Sequence, residues 1–144
     1  MIPEFTEDGL LPPGVHRATL AEIENRFASI DLSRQRRELF MKIVALAKEA
    51  AAAGFVERIL LAGSFVTAKQ EPNDFDCLIA LDEIVVRREL RPFEYRIVSR
   101  RRARRAFKGN VFSFSAGSQT FREYFEFFQK TRDGIRVGML EIEL

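Results

Sequence analysis

The chain has 144 residues, enough for one domain with a full core and short for two. With 47% hydrophobic and 31% charged residues it reads as a globular protein, and no apolar run nears the ~20 residues that span a bilayer. The net charge of +2 is uneven, because residues 96–108 hold seven of the 23 basic side chains and no acid. Basicity is therefore a local patch. The start, MIPEFTEDGL, lacks a basic-then-apolar leader pattern, and Cys77 is the lone cysteine, so a reducing cytoplasm is the expected compartment.

Residues 1–17, with the run LPPG, read as an irregular arm. Thr19 is placed to cap a helix over 20–28, with Leu20, Ile23 and Phe27 on one face. Ser33 opens a longer helical pattern to Ala53, in which Leu39, Phe40, Ile43, Val44, Leu46, Ala47 and Ala50 share a face. Gly54 stops it. Residues 55–63 (FVERILLAG) read as a strand, and 75–81 as its neighbour across a polar loop holding Pro72. Pro92 marks a boundary near residue 91, and 94–107 read as one helix. Its Tyr95, Val98, Ala103, Ala106 and Phe107 face inward, while Arg100, Arg101, Arg104, Arg105 and Lys108 face water. Gly109 ends it. Residues 110–115 (NVFSFS) alternate as a strand, and Ser118 caps a helix that turns Phe121, Tyr124, Phe125 and Phe128 inward. TRDG (131–134) is a turn, and the last ten residues read as a closing strand. This order predicts one α/β domain over 1–144, a mixed sheet of about four strands flanked by helices.

Asp74 and Asp76 stand two apart at the head of an apolar strand. Strand alternation sends both carboxylates to one face, where they repel unless a cation or a set of donors lies between them. The pair reads as a metal site or as a solvated loop. Upstream, LLAGS brings an apolar strand to Gly63 and Ser64. Glycine lets the backbone approach a ligand, and a helical turn beginning there would offer N–H groups and the Ser64 hydroxyl to a phosphate, with Lys69 adding charge. Plain turn chemistry is the alternative. A phosphate turn beside paired carboxylates suits a nucleoside triphosphate carried as its Mg²⁺ complex.

Gly63-Ser64, nine residues, then Asp74-Phe75-Asp76 and an apolar strand resembles the signature of the nucleotidyltransferase (DNA polymerase beta-like) superfamily. The likeness is nearest to its short bacterial minimal nucleotidyltransferases. IPEFTEDGLLPPGVH and TRDGIRVGMLEIEL extend it over nearly the whole chain, to a small uncharacterised prokaryotic family within that superfamily. The resemblance implies Mg²⁺-dependent transfer of a nucleotidyl group from a triphosphate, ATP first, to a protein or RNA hydroxyl. By it, Gly63 and Ser64 hold the triphosphate, while Asp74 and Asp76 hold metal and serve catalysis. The superfamily's third carboxylate falls at Asn110, whose amide oxygen can ligate Mg²⁺ but brings no charge and takes no proton. Glu141 and Glu143 on the closing strand are the next acids in line. The same resemblance implies an antitoxin-type role with a toxin-like protein partner.

Two other functions compete. The fold serves as a non-catalytic partner-binding module, with Asn110 marking a lost activity, or the basic helix over 96–108 binds RNA through Arg100, Arg101, Arg104, Arg105 and Lys108. His16 reads as a packing residue of the arm, Cys77 as a buried small side chain, and the Phe121–Phe128 stripe as core.

Overall fold

The arm predicted to be irregular contains a strand. In the computed structural model, which describes residues 1–144, Gly14–Ala18 forms β1 and pairs in parallel with the last strand, β5 (Gly138–Ile142). That partner lies far along the chain, so no local turn or hairpin signal announces it. Thr19 then caps α1 (Leu20–Phe27) in a reciprocal box: its hydroxyl accepts from the Glu22 N–H at 3.1 Å, and the Glu22 carboxylate accepts from the Thr19 N–H at 3.1 Å. Ser33 caps α2 (Arg34–Ala53), which Gly54 closes at φ 78°. Both caps stand where the sequence put them.

The sheet continues with β2 (Val56–Ala62), β3 (Asp76–Leu81) and β4 (Asn110–Ser115). Its order is β1-β5-β2-β3-β4, so it has five strands and not about four. β2 is antiparallel to both neighbours, whereas β3 and β4 run in parallel. A parallel pair needs a crossover, and the helices between β3 and β4 supply it. The architecture is α/β with a mixed sheet, as predicted.

That crossover is broken where one helix was expected. α3 (Tyr95–Val98) ends at Ser99, whose extended backbone (φ −102°, ψ 114°) and hydroxyl, accepting from the Arg102 N–H at 3.3 Å, begin α4 (Arg100–Phe107). The break shifts the helical phase. Ile97 is buried in place of Tyr95, which is exposed, and Val98 and Ala106 are only half-buried. Ala103 and Phe107 do face inward, and Arg100, Arg101, Arg104, Arg105 and Lys108 face solvent. After α5 (Gln119–Phe127), capped by Ser118, the turn reaches further than TRDG. Thr131 N–H donates to the Ile135 carbonyl at 2.8 Å, which delays β5 to Gly138.

Two apolar layers result. Ile59, Leu61, Cys77, Ile79, Val111 and Leu140 point to the larger one, against the Phe40–Ala50 stripe of α2 and against Phe27, Ile97 and Phe107. Leu60, Ala62, Leu78, Ala80 and Met139 point to the other, where Phe121 covers them and Phe112, Phe114, Tyr124, Phe125 and Phe128 pack around. By alternation, Asp76 and Asn110 belong to this second face, at the end of the sheet that α5 leaves open. No helix is long and apolar enough to cross a membrane.

Candidate functional site

Register brings the predicted residues together. Ala62 pairs with Asp76 across β2 and β3, so the chain leaving β2 passes directly over the Asp76 carboxylate. Gly63 makes that crossing at φ 77°, ψ −165°, a region essentially reserved for glycine. A Cβ there would land on the carboxylate. Gly63 is thus required twice, by its backbone and by the group beneath it. Residues Ser64–Val66 form a single 3-10 turn, with the Thr67 hydroxyl donating to the Ser64 carbonyl at 2.7 Å.

The turn is held from below by a residue the sequence did not single out. Arg36 on α2 is 3% exposed and donates to the carbonyls of Phe27 (3.3 Å), Phe65 (2.7 Å), Thr67 (2.7 Å) and Lys69 (3.1 Å from Nε). A guanidinium offers five donors in a rigid fork, which suits such a set. Lys69 lends only its carbonyl to this arrangement. Its side chain is exposed and, like those of Asp74 and Asn110, is not among the residues that line the cleft. The downstream turn at residues 130–132 curves over instead.

β3 and β4 set the carboxylates. Asp76 pairs with Asn110 in the ladder, and Asp74 lies in the loop just before β3. The Asn110 amide donates to Asp76 Oδ1 at 3.0 Å and to Asp74 Oδ2 at 3.4 Å, so both acids do face one point. Arg104 of α4 adds an ion pair to Asp74 at 3.2 Å. The predicted trio is brought together, and one arginine expected only in solvent joins it. Neither alternative acid arrives: Glu141 is engaged by Arg58 at 2.7 Å, and Glu143 is exposed past the end of β5.

Burial is the largest influence on Asp76 and raises its pKa above the ordinary aspartate value. The Asn110 hydrogen bond opposes it, Asp74 reinforces it, and Arg104 and Arg100 offset part of it. Between the ordinary and the raised pKa the folded state binds more protons than the unfolded one. Stability therefore falls as pH rises through that window and stays lower above it. Asp76→Asn, which drops the charge and keeps an acceptor, is expected to melt above wild type near pH 7 and to lose that advantage in acid. Thermal melts across pH check this. A variant melting below wild type at neutral pH would mean that the ionised group's bonds outweigh its desolvation.

A cleft of about 600 Å³ opens over Gly63, Ser64, Thr67 and Asp76. Phe127, Phe128, Lys130, Thr131 and Arg132 line it too. A volume of this size, lined by hydroxyls, an acid, two cations and two aromatic rings, matches small-molecule sites. Lys130 and Arg132 escaped the sequence reading because TRDG reads as an ordinary turn. Phe127 was obscured by the inward stripe; it is 70% exposed, on the outer side of α5.

Two carboxylates and an amide fit one hard cation, since Mg²⁺ takes one or two carboxylates and fills its octahedron with water and phosphate oxygens. Turning the Asn110 amide over would present its oxygen to the ion. No group of three or more His, Cys, Asp or Glu side chains with metal-binding geometry forms in the chain. The donor set is thus poor for a second ion. Cys77 is fully buried, its thiol pKa pushed up by burial, and His16 Nε2 lies 2.8 Å from the Pro12 carbonyl; neither borders the cleft.

A family model matches residues 3–143, and the chain belongs to that family, DUF6932, described as a family of unknown function. No curated protein and no solved structure matches it.

Proposed function

We propose that this chain is a nucleotidyltransferase-type domain that binds a nucleoside triphosphate as its Mg²⁺ complex and transfers the nucleotidyl group to a hydroxyl of a protein or an RNA. The observation that carries this is the Gly63-Ser64 turn lying directly on the Asp76 carboxylate, in a cleft that Lys130 and Arg132 also line. The Ser64–Val66 turn and the two cations suit a polyphosphate, and Phe127 and Phe128 offer faces for a base. Mg²⁺ held by Asp74, Asp76 and the Asn110 amide would neutralise phosphate charge. In the transfer, the acceptor oxygen bonds to the α-phosphorus, the α–β bridging bond breaks, and pyrophosphate leaves with the electron pair. The acceptor's hydroxyl proton leaves to water, because a carboxylate that holds Mg²⁺ is a weak base.

The experiment has two stages. Thermal shift with the four triphosphates, with and without Mg²⁺, reads binding, with ATP tried first. Transfer of α-labelled nucleotide to co-purified protein and RNA then reads chemistry. Wild-type labelling that Asp76→Ala removes is the expected result, and the absence of any nucleotide shift would overturn the proposal.

A second reading is favoured by the hydrogen bonds of Asn110, which donates to both carboxylates where a third acid would repel them. In that reading the domain binds nucleotide and a protein partner, of toxin type in an antitoxin pair, without transferring anything. Nucleotide shifts without labelling would select it.

A further inference from the structure

We propose that α4 is a docking surface for a single-stranded polynucleotide, whose phosphates lie on its arginines and whose terminal hydroxyl reaches Asp74 and Asp76. The role of that hydroxyl rests on the transfer reading above; the docking does not. Arg100, Arg101, Arg102, Arg104, Arg105 and Lys108 are all exposed, and of these only Arg104 has a carboxylate partner. Unpaired cations at this density are a place where condensed counterions and a polyanion's phosphates compete.

Their arrangement leads to the site. Arg100 and Arg104 stand four apart and so share one flank of the helix, and Lys108 caps its end in the left-handed region at φ 54°. That flank runs along β4, the edge strand, with the Arg100 guanidinium 4.5 Å from the centre of the Phe112 ring and Arg104 bonded to Asp74. Arg104 thus belongs both to the basic surface and to the carboxylate cluster. Eight helical residues rise about 12 Å, which matches about four phosphates at 3.4 Å along a stacked strand.

The chemistry favours a nucleic acid over an acidic protein. Five of the six cations are arginines, whose planar forks bind phosphate and stack on bases. Arg102 already lies 5.2 Å over the exposed Tyr95 ring, and arginine and aromatic faces together are what single-stranded binders present. A protein interface needs an apolar centre that loses its water, and Tyr95 is the one large exposed apolar side chain from α3 through α4.

The test is fluorescence anisotropy on the full chain, without nucleotide, using short labelled single-stranded RNA and DNA and, separately, polyglutamate. With about four phosphates neutralised, affinity is expected to fall about 50-fold between about 50 and about 200 mM salt. Arg101→Glu with Arg105→Glu should weaken binding by at least about tenfold and flatten that salt slope. Arg17→Glu with Lys48→Glu makes the same change in net charge at exposed positions on β1 and α2, and should leave the slope intact. Should the first pair unfold, as thermal melts would show, Arg101→Gln with Arg105→Gln carries the comparison. RNA and DNA bound alike locate recognition in the backbone, and RNA bound more tightly adds its 2′-hydroxyl. Equal losses in both double variants, polyglutamate bound as tightly as RNA, or no binding at low salt overturn the proposal. Nucleotide shifts measured on wild type report on the cleft independently, so either proposal can fail alone.

Discussion

Arg36→Met is expected to destabilise the fold by about 3 kcal/mol, since hydrogen bonds to a charged group are worth about 1.5–3 kcal/mol each and some of the freed carbonyls regain water. For a chain of this length that is a fall of roughly 10 °C in melting temperature. Four carbonyls, of Phe27, Phe65, Thr67 and Lys69, now share one guanidinium on three sides of a buried point. Methionine fills much of the volume and satisfies none of them. Arg36→Lys should recover only part of the loss, because a single ammonium on a flexible stem cannot span the set. Burial lowers the pKa of Arg36, yet a guanidinium stays charged across the accessible pH range, so the deficit should be the same at pH 6 and pH 8. The loss should also loosen the Ser64–Val66 turn and weaken nucleotide binding beyond what stability explains. A melting temperature within error of wild type for Arg36→Met would show that the turn holds its shape without this residue.

Arg36 also marks how far the sequence could be read. It sits on the same helical stripe as Phe40, Ile43, Ala47 and Ala50, which is visible in the spacing, but SRQRREL looks like a solvated helix start. What holds the buried arginine is a set of carbonyls from the end of α1 and from residues 65–69, and carbonyls have no sequence signature. The caps at Thr19, Ser33 and Ser118, the β2 and β3 pair, and the Asp74 and Asp76 pair were legible because each rests on short-range rules. Asn110, which meets them across the parallel β3 and β4 ladder, was indicated by the family resemblance alone. The break at Ser99 is a local serine cap that the helical spacing on either side of it masked, whereas β1 and the contribution of Lys130 and Arg132 to the cleft depend on packing between distant segments. The exposed position of Lys69 comes from packing of that kind too. Its nearness along the chain to Ser64 suggested a shared site, but the loop anchored by Arg36 carries the side chain outward.

Asn110 decides between the two functional readings. Asn110→Asp puts a third carboxylate beside Asp74 and Asp76 and removes the amide donor that both now use. Without metal, mutual repulsion raises the pKa values of the cluster, so the variant should match wild type in acid. Its deficit should grow as pH rises through the carboxylate range and then hold constant. Mg²⁺ reverses the balance, because a carboxylate ligand adds a full negative charge where the amide had none. The variant should therefore bind Mg²⁺ at least about tenfold more tightly than wild type, a gain of about 1.4 kcal/mol, and regain its lost melting temperature when the ion is added. Asp76→Ala should show no Mg²⁺ shift at all. Any nucleotidyl transfer should rise in Asn110→Asp and vanish in Asp76→Ala. A variant that Mg²⁺ does not rescue would mean that the cluster is an internal latch, with Asn110 and Arg104 standing permanently where a cation would, and the non-catalytic reading would hold. Strong wild-type transfer unchanged by Asn110→Asp would mean instead that the site is already complete with one amide ligand, since Arg58 keeps Glu141, the alternative acid on β5, engaged away from it.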